Sequence, residues 1–381
     1  MSEDKKICII GSGASGSLCG YFLREEKPVI YDVQEPLKTL LPTGGGRCNL
    51  SHAEFDIKDL VKNYPRGEKF LYSVFSRFGV DDTLSLFEEL GIKTYTQDNG
   101  RIFPVSNSSK DVRNAVLKKI NHLNFKKEKV LEISSVKNGY EIKTSKGKEF
   151  YTHVIVAIGG HSGYGILKNI NIKIVPPKPS LVGLKTKEDF SSVSGVVIKS
   201  VKSNDFNIID DVLFTHFGVS GPLIYTLSSI NARKSFPYSL SFDLFNEEYN
   251  LQSELNSNPH KDIKNILSSV LPKNFVKYFL EKLNIDGDLK GHSINKETRE
   301  KICSNIHNYV ININGTDRGE ETVTSGGVDL TEIIPQSLMS KKYNNLYFCG
   351  EVLNIDGFCG GFNLQNAWST AFVVSQSILK D

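Results

Sequence analysis

Short, uniformly apolar runs that end near glycine or an acidic residue recur along the chain and predict buried strands. The first lies within residues 5–10 and precedes a predicted helix over 14–25. The second, PVIYD over 28–32, ends in an acid. HVIVAIGG over 153–160 and LYFC over 346–349 have the same apolar character. Strands that are apolar on both faces are typical of parallel sheets covered by helices, so the pattern predicts an α/β fold.

Between these strands the periodicity changes. Residues 68–90 and 110–122 have helical periodicity, and Val130 to Tyr151 predicts alternating strands around the turn Asn138-Gly139.

The middle third of the chain has a different pattern. A proline-rich stretch over 175–180 is typical of a linker. Residues 181–243 are strand-like, residues 247–308 have helical periodicity, and residues 309–324 return to a strand pattern. We therefore expect this third to be an insert, with both termini in one domain.

The segment IIGSGASGS, Ile9 to Ser17, joins the first strand to the first helix as a dinucleotide-binding fingerprint does. In that motif the first glycine forms the turn, the second lets backbone approach a pyrophosphate, and the third lets helix pack on strand. An acidic residue follows 21 positions after Gly11, where it can accept the ribose hydroxyls of adenosine. The predicted binding residues here are Gly11, Gly13, Ala14, Ser15, Gly16 and Asp32.

The last strand leads into a second block, Cys349 to Ala371, in which Gly360-Gly361 opens a predicted helix. A strand end and a helix N-terminus together offer backbone N–H groups and a dipole that stabilises negative charge on a reduced flavin ring. We expect both ends of the chain to hold one FAD, with the ring facing the backbone of residues 362–365. The predicted residues here are Gly350, Glu351, Gly361, Phe362, Asn363, Leu364 and Gln365.

Two further glycine segments suggest contact with the same ligand. TGGGRCN, Thr43 to Asn49, lies between apolar Leu40-Leu41 and polar residues, which favours backbone packed against a ligand over a loose loop. The glycines after the strand at 153–156 suggest another approach of the chain to the cofactor. The predicted residues are Gly44, Gly45, Gly46, Arg47, Cys48 and Gly159, with Val130 meeting adenine through its backbone.

Composition narrows the class of protein. The chain has 381 residues, of which 39% are hydrophobic, with no run long enough for a membrane span and no signal-peptide pattern in MSEDKK, so we expect a cytoplasmic protein. Its six cysteines show no C-x-x-C spacing, which argues against a metal site and against disulfide exchange. There is no second GxGxxG after a strand, so NADH or NADPH is expected to dock transiently. The net charge of +3 permits nucleic-acid contact without arguing for it.

Seven motifs in order along nearly the whole chain resemble one bacterial flavoprotein family. They are GSGASG, TGGGRCNLSH, NGRIFPVSN, VIVAIGG, FTHFGVSGP, VTSGGVDLTEI and CGEVLNIDGFCGGFNLQNAWS. The family includes ribosomal RNA dihydrouridine synthases of the YhiN/RdsA type, a proposed bile-acid reductase, BaiN, and a proposed aminoacetone oxidase. The chain departs from the family pattern at Leu37, which replaces a usual glycine, at Asn354, which replaces a frequent aspartate, and in a shortened loop after VIVAIGG.

The resemblance implies a domain organisation. It consists of a glutathione-reductase-type FAD domain with a Rossmann-like parallel sheet, an inserted β-barrel-like domain, and a helical insert within that. The expected bounds are 1–180 with 322–381, then 181–245 with 309–321, and 246–308.

The resemblance also implies an activity, the reduction of a conjugated C=C. The substrate is expected to be uridine in large-subunit ribosomal RNA, with FAD as hydride donor and NADH or NADPH as reductant. A small-molecule enone reductase and an oxygen-using amine oxidase remain open alternatives. Such a reduction needs a proton donor. Cys48 and Cys359 lie in flavin motifs and are candidates, as is His216, although each is also a common kind of structural residue.

Overall fold

The computed structural model describes residues 5–161, 163–245, 249–317 and 323–381. Its internal contacts divide the chain into two units, Met1–Lys178 with Val323–Asp381, and Pro179–Thr322. The predicted three-part division into domains stays a prediction.

A five-stranded parallel sheet forms the framework of the first unit, in the order β19–β10–β1–β2–β6. Its strands are β1 (Ile7–Ile10), β2 (Val29–Asp32), β6 (Asn124–Lys127), β10 (His153–Val156) and β19 (Leu346–Phe348). Every residue of β1, β10 and β19 is buried, as expected for strands covered on both faces. Because β1 lies next to β10, and β10 next to β19, the two ends of the chain share one sheet.

Helices from both ends of the chain pack together on this sheet. They include α1 (Ala14–Phe22) and α11 (Phe362–Lys380), which contact each other along their length. Trp368 of α11 is fully buried and donates from its ring N–H to the carbonyl of Leu50 at 3.0 Å. The other helices of this unit are α2 (Ile57–Val61), α3 (Glu68–Phe75), α4 (Val80–Glu89) and α5 (Ser109–Ile120).

The predicted helix over 68–90 is in fact two helices, α3 and α4. The break falls before Gly79, whose backbone is extended, with ψ of −159°. Its N–H donates to the carboxylate of Asp82 at 2.7 Å, which caps α4 and starts a new helix. The helical periodicity of residues 68–90 therefore continues through a helix cap, which the pattern alone did not indicate.

Three small sheets lie wholly or mainly in the first unit. Their orders are β3–β5–β4, β7–β8–β9 and β11–β18. The strands are β3 (Ser51–His52), β4 (Thr94–Thr96), β5 (Arg101–Pro104), β7 (Val130–Val136), β8 (Gly139–Thr144), β9 (Gly147–Tyr151), β11 (Ile174–Ser180) and β18 (Val323–Val328).

The second unit contains a closed barrel of six strands in the order β12–β15–β14–β13–β16–β17. They are β12 (Leu184–Thr186), β13 (Val197–Ser203), β14 (Ile209–Thr215), β15 (Gly218–Ser220), β16 (Tyr238–Asp243) and β17 (Tyr309–Thr316). The helices are α6 (Pro222–Ile230), α7 (Leu251–Ser257), α8 (Ile263–Leu267), α9 (Lys273–Lys282) and α10 (Lys296–His307). Barrel and helices share one apolar core.

The predicted α/β class is confirmed, with a Rossmann-like parallel sheet, a barrel and a group of helices between β16 and β17. Among the described residues no helix is long and apolar enough to cross a membrane.

Candidate functional site

The glycine-rich turn after β1 is shaped by contacts within the chain. Gly11 has a φ of +103°, and a Cβ there would lie 2.7 Å from the carbonyl carbon of Ala157. A Cβ on Gly16 would lie 2.9 Å from the carbonyl carbon of Gly11. Real Cβ atoms do not approach backbone so closely, so these two glycines allow β1, β10 and α1 to come together.

Gly13, the middle glycine of the motif, has room around it. Among the described atoms within 4 Å, a Cβ there would meet Thr39 Oγ1 alone, at 3.5 Å. Gly13 precedes the first residue of α1, Ala14, and no described side chain caps this helix or places an acid in its first turn. The N-terminus of α1 is therefore suited to an anionic group such as a pyrophosphate.

Asp32 is oriented at the end of β2 by three hydrogen bonds. Its Oδ2 accepts from the backbone N–H of Ser12 at 2.6 Å and from the Ser12 hydroxyl at 2.8 Å. Its Oδ1 accepts from the N–H of Gln34 at 2.9 Å. A carboxylate offers about four acceptor positions, so this half-exposed side chain can still accept from a ligand hydroxyl.

Leu37 occupies a backbone position that suits glycine. Its φ is +57°, its side chain is fully buried, and its N–H donates to the carbonyl of Ser12 at 2.8 Å. The left-handed region costs an L-residue about 1–2 kcal/mol. This is a physical reason for the glycine that is usual at this position in the flavoprotein family that the sequence resembles.

The N-terminus of α1 contacts the segment that follows β19. Ser15 Oγ donates to the carbonyl of Cys349 at 3.4 Å, and Cys19 Sγ lies 3.6 Å from Cys349 Sγ. Gly350 has a φ of +73°, and a Cβ there would lie 2.8 Å from Ser15 Cβ. The structure therefore joins the two glycine motifs found at opposite ends of the sequence.

Glu351 is largely removed from solvent and connects three strand ends. Its Oε1 accepts from the N–H of Thr324 at 2.7 Å, and a Cβ on Gly160 would lie 2.8 Å from the same oxygen. Burial, together with the charge of Asp356, raises the pKa of Glu351 to about 7, although hydrogen bonds from the N–H groups of Thr324 and Gly160 lower it. Beside it, Gly159 has a φ of +75°, and a Cβ there would meet no described atom within 4 Å.

Asp356 forms a buried ion pair with Arg66 that sequence reasoning did not find. The Asp356 carboxylate is fully buried and accepts from Nε and Nη2 of Arg66, whose side chain is 17% exposed. The available signal was an acid within an otherwise apolar and glycine-rich block. The pair ties the segment before α3 to the segment before α11.

The TGGGRCN segment forms a tight turn with an open side. Gly44, Gly45 and Gly46 all have positive φ, between +58° and +84°. A Cβ on Gly45 would meet no described atom within 4 Å, whereas one on Gly44 would lie 2.8 Å from the N atom of Asn49. Arg47 braces the turn, because its Nε donates to the Gly44 carbonyl at 3.2 Å.

Cys48, the next residue, has a fully buried side chain and a φ of +64°. Burial raises the pKa of its thiol to about 12, and a hydrogen bond with Thr43 opposes this. Val130, expected to meet adenine through its backbone, is buried at the start of β7.

The side chains at the start of α11 hold neighbouring loops in place. Asn363 exchanges two 2.8 Å hydrogen bonds with the backbone N–H and carbonyl of Gly357. Gln365 is fully buried and its amide donates to Gly79 and Ser369. Leu364 is half-buried.

The N-terminus of α11 is itself suited to an anionic group. Gly361, the residue before Phe362, has a φ of +99°, and a Cβ there would lie 2.8 Å from Asn49 Oδ1. No acidic residue lies in the first turn, and no side chain in the described chain caps the helix. Backbone N–H groups and the dipole therefore remain for a ligand.

Cys359 lies beside two residues that sequence reasoning did not select. Arg101 Nη2 lies 3.9 Å from Cys359 Sγ, and His52 Nδ1 lies 3.2 Å from the Gly360 carbonyl. His52 and Arg101 are directly paired across β3 and β5. Both lie in motifs noted for resemblance, NLSH and NGRIF, and that was the signal available.

His216 belongs to the second unit. It is exposed in the turn between β14 and β15, with its ring edge-on to Phe217 at 5.3 Å. Within the described part of the chain, His216 has no hydrogen-bond or ion-pair partner that would indicate a catalytic role. Within the described ranges, no three His, Cys, Asp or Glu side chains are grouped to hold a metal ion.

Comparison with known proteins gives full-length matches. Ribosomal RNA dihydrouridine synthase of Haemophilus influenzae is 28% identical, covering 99% of both chains. The protein of the same name from Escherichia coli is 27% identical over 97% of both. The 3-dehydro-bile acid delta(4,6)-reductase of Clostridium scindens is 25% identical over 98% of both.

Solved structures share the fold. A flavocytochrome c3 fumarate reductase in its open conformation aligns with a TM-score of 0.51 at 12% identity, over 100% of this chain and 78% of the other. The 3-ketosteroid delta1-dehydrogenase of Sterolibacterium denitrificans aligns with a TM-score of 0.50 at 11% identity, over 98% and 99%. The model of the HI0933-like protein Rossmann domain matches residues 5–377, and the chain therefore belongs to the HI0933-like family.

Proposed function

We propose that the protein binds FAD between its two glycine motifs. The site fits a dinucleotide, because Gly13 and Gly45 leave space where a Cβ would stand and because α1 and α11 both begin without a side-chain cap among the described residues. In addition, the side-chain oxygens of Asn49 and Asn366 are buried with no hydrogen-bond partner in the described chain.

Each part of the site has a task in this proposal. Asp32 accepts the adenosine ribose hydroxyls, and the N-terminus of α1 binds the pyrophosphate. The N-terminus of α11, at Phe362, stabilises negative charge on the ring. When bound, FAD supplies a hydride carrier, while the protein orients it and tunes its chemistry.

We further propose that the enzyme reduces a conjugated C=C, and that its substrate is uridine in large-subunit ribosomal RNA, converted to dihydrouridine. The observation that carries this is the match, over 97–99% of each chain, to two proteins named for that activity. NADH or NADPH is the proposed reductant, docking transiently, and the substrate implies a cytoplasmic enzyme.

The proton that the reaction needs comes from the chain, and the structure favours Cys359 over Cys48. Cys48 is fully buried and its thiol has a strongly raised pKa, about 12. Cys359 is partly exposed beside a guanidinium group. A thiol must reach its substrate to donate a proton, so the partial exposure of Cys359 supports it as the donor.

A second candidate function is the reduction of a small-molecule enone. It is supported by the Clostridium scindens relative, which is named as a bile-acid delta(4,6)-reductase and matches over 98% of both chains. Both substrates have a C=C conjugated to a carbonyl, so the same residues would serve either one.

Deleting the gene and mapping dihydrouridine in ribosomal RNA tests the proposal. We expect one modified position to be lost and to return with the wild-type gene but not with a Gly13→Val variant. Unchanged dihydrouridine, in a host shown to contain it, would favour the enone reductase. Separately, denaturing the purified protein should release FAD, and release of FMN would contradict the proposed cofactor.

A further inference from the structure

The loop that precedes α11 is held by two side chains from the small β3–β5–β4 sheet. His52 on β3 and Arg101 on β5 are opposite each other in the antiparallel register. Both side chains reach the loop Cys359–Gly361, His52 at a backbone carbonyl and Arg101 at a thiol. Paired strands therefore place two different groups on one short loop.

Arg101 supplies positive charge to the Cys359 thiol. The Nη2 to Sγ distance is 3.9 Å, and both residues are partly exposed. Cys359 also lies just before the N-terminus of α11, a helix of 19 residues with no acid in its first turn. A guanidinium and a helix N-terminus both stabilise a thiolate relative to a thiol.

His52 holds the loop without adding a charge. Its ring stacks on Phe362 with centroids 4.7 Å apart, and Nδ1 lies 3.2 Å from the Gly360 carbonyl. Burial lowers the pKa of His52, and the charge of Arg101 also lowers it, while the Gly360 contact and Glu54 oppose this. The neutral ring is therefore the stable form at neutral pH. The ring occupies the space beside Gly100, where a Cβ would lie 2.5 Å from Nε2.

We propose that Cys359 is the proton donor of the reaction, with Arg101 and His52 as positioning residues that set the state and place of its thiol. The inference rests on the proposed function. The C=C π bond of the substrate breaks, and one carbon gains a hydride that derives from reduced nicotinamide. The other carbon gains the Cys359 proton, and the S–H electron pair stays on sulfur. The thiolate then regains a proton from solvent.

The test is the pH profile of thiol alkylation by iodoacetamide in the purified protein. Peptide mass spectrometry would follow Cys359 and, as an internal reference, Cys303, the other partly exposed cysteine. N-acetylcysteine is the reference for an ordinary thiol. We expect Cys359 to reach half its maximal rate at least about one pH unit below N-acetylcysteine.

Four variants separate the effect of charge from the effect of structure. Arg101→Met should move the Cys359 midpoint up by about one pH unit or more, whereas Arg101→Lys should keep most of the effect. Arg113→Met is the matched control, since Arg113 bonds to Glu35 and Pro36, and it should leave the profile unchanged. His52→Gln should change the rate of alkylation more than its midpoint.

A failure of this inference can be distinguished from a failure of the proposed substrate. A Cys359 that titrates like N-acetylcysteine, resists alkylation while Cys303 reacts, or ignores Arg101→Met would overturn the inference. The wild-type profile decides even if the variants do not fold. If the profile behaves as expected but no dihydrouridine forms, the choice of uridine is wrong, whereas the effect of Arg101 on the Cys359 thiol stands and turnover of Cys359→Ser on an enone tests the proton donation.

Discussion

Ser15, in the first turn of α1, lies against Gly350, just after β19, so closely that a Cβ on Gly350 would be 2.8 Å from Ser15 Cβ. These residues come from opposite ends of the chain. Their contact brings the two motifs that we assign to one dinucleotide within reach of one ligand. It also makes the joint between the chain ends sensitive to a single methyl group.

Gly350→Ala tests this joint. It adds both left-handed strain at a φ of +73° and a collision with Ser15. Gly91→Ala is the matched control, since Gly91 has a φ of +82° and no described atom within 4 Å of its Cβ position. We expect Gly91→Ala to cost about 1–2 kcal/mol of unfolding free energy and Gly350→Ala roughly twice that. Urea unfolding of both would measure it, and equal costs would argue against a tight joint.

Gly13→Val separates cofactor binding from folding. The protein leaves room at this position, where Thr39 Oγ1 at 3.5 Å is the described neighbour, so the flavin-free variant should unfold close to the temperature of the flavin-free wild type. The added methyl groups should block a pyrophosphate and weaken FAD binding at least ~100-fold. Flavin fluorescence titration measures this, with Gly315→Val in β17 of the second unit as the control. Normal FAD affinity in Gly13→Val would refute the assigned pyrophosphate position.

Glu351→Gln tests the buried carboxyl through pH. The pKa of Glu351 in the folded protein is raised to about 7, so the folded state favours the protonated carboxyl more than the unfolded state does. Its contribution to stability is complete below about pH 4 and is lost as pH rises through about 7, by up to ~3 kcal/mol. Between pH 5 and pH 8, the unfolding free energy of Glu351→Gln should therefore rise relative to that of the wild type, by roughly the same amount. A difference that does not change with pH would contradict the raised pKa.

Cys359→Ser and Cys48→Ser form a matched pair for the proton donor. We expect Cys359→Ser to keep bound FAD and its reduction by NADH or NADPH, while product forms at least ~10²-fold more slowly, the scale of a lost general acid. Cys48→Ser should retain turnover, with a loss of stability from placing a hydroxyl in a buried site. Stopped-flow flavin absorbance and product yield measure the two steps. The reverse ranking would restore Cys48 as donor.

Local sequence patterns were enough to predict the glycine turn, since Gly16 must be glycine to pack against Gly11 within the same strand–turn–helix unit. The contact of Gly11 with Ala157, after β10, comes from a distant segment. The local patterns also predicted the parallel strands, whose uniform apolarity follows from burial on both faces. The break between α3 and α4 was missed because a cap at Gly79 leaves the helical period intact. The burial of Cys48 agrees with the structural alternative that the sequence left open for this residue.

Contacts between distant segments were the other feature that the sequence did not predict. The His52–Arg101–Cys359 cluster joins three segments whose register is set by β3 and β5, and no local pattern reports that pairing. The Arg66–Asp356 ion pair has the same origin. Charged side chains in glycine-rich blocks were the signals that could have drawn attention to both.

The most direct test of the account is turnover on isolated ribosomal RNA. Large-subunit ribosomal RNA from the deletion strain would be incubated with the purified protein, FAD and NADPH or NADH, and its nucleosides analysed by mass spectrometry. The account predicts a gain of two mass units at one uridine, dependent on reductant and absent with Gly13→Val. No dihydrouridine with the FAD-loaded protein, alongside reduction of a steroid enone under the same conditions, would contradict it.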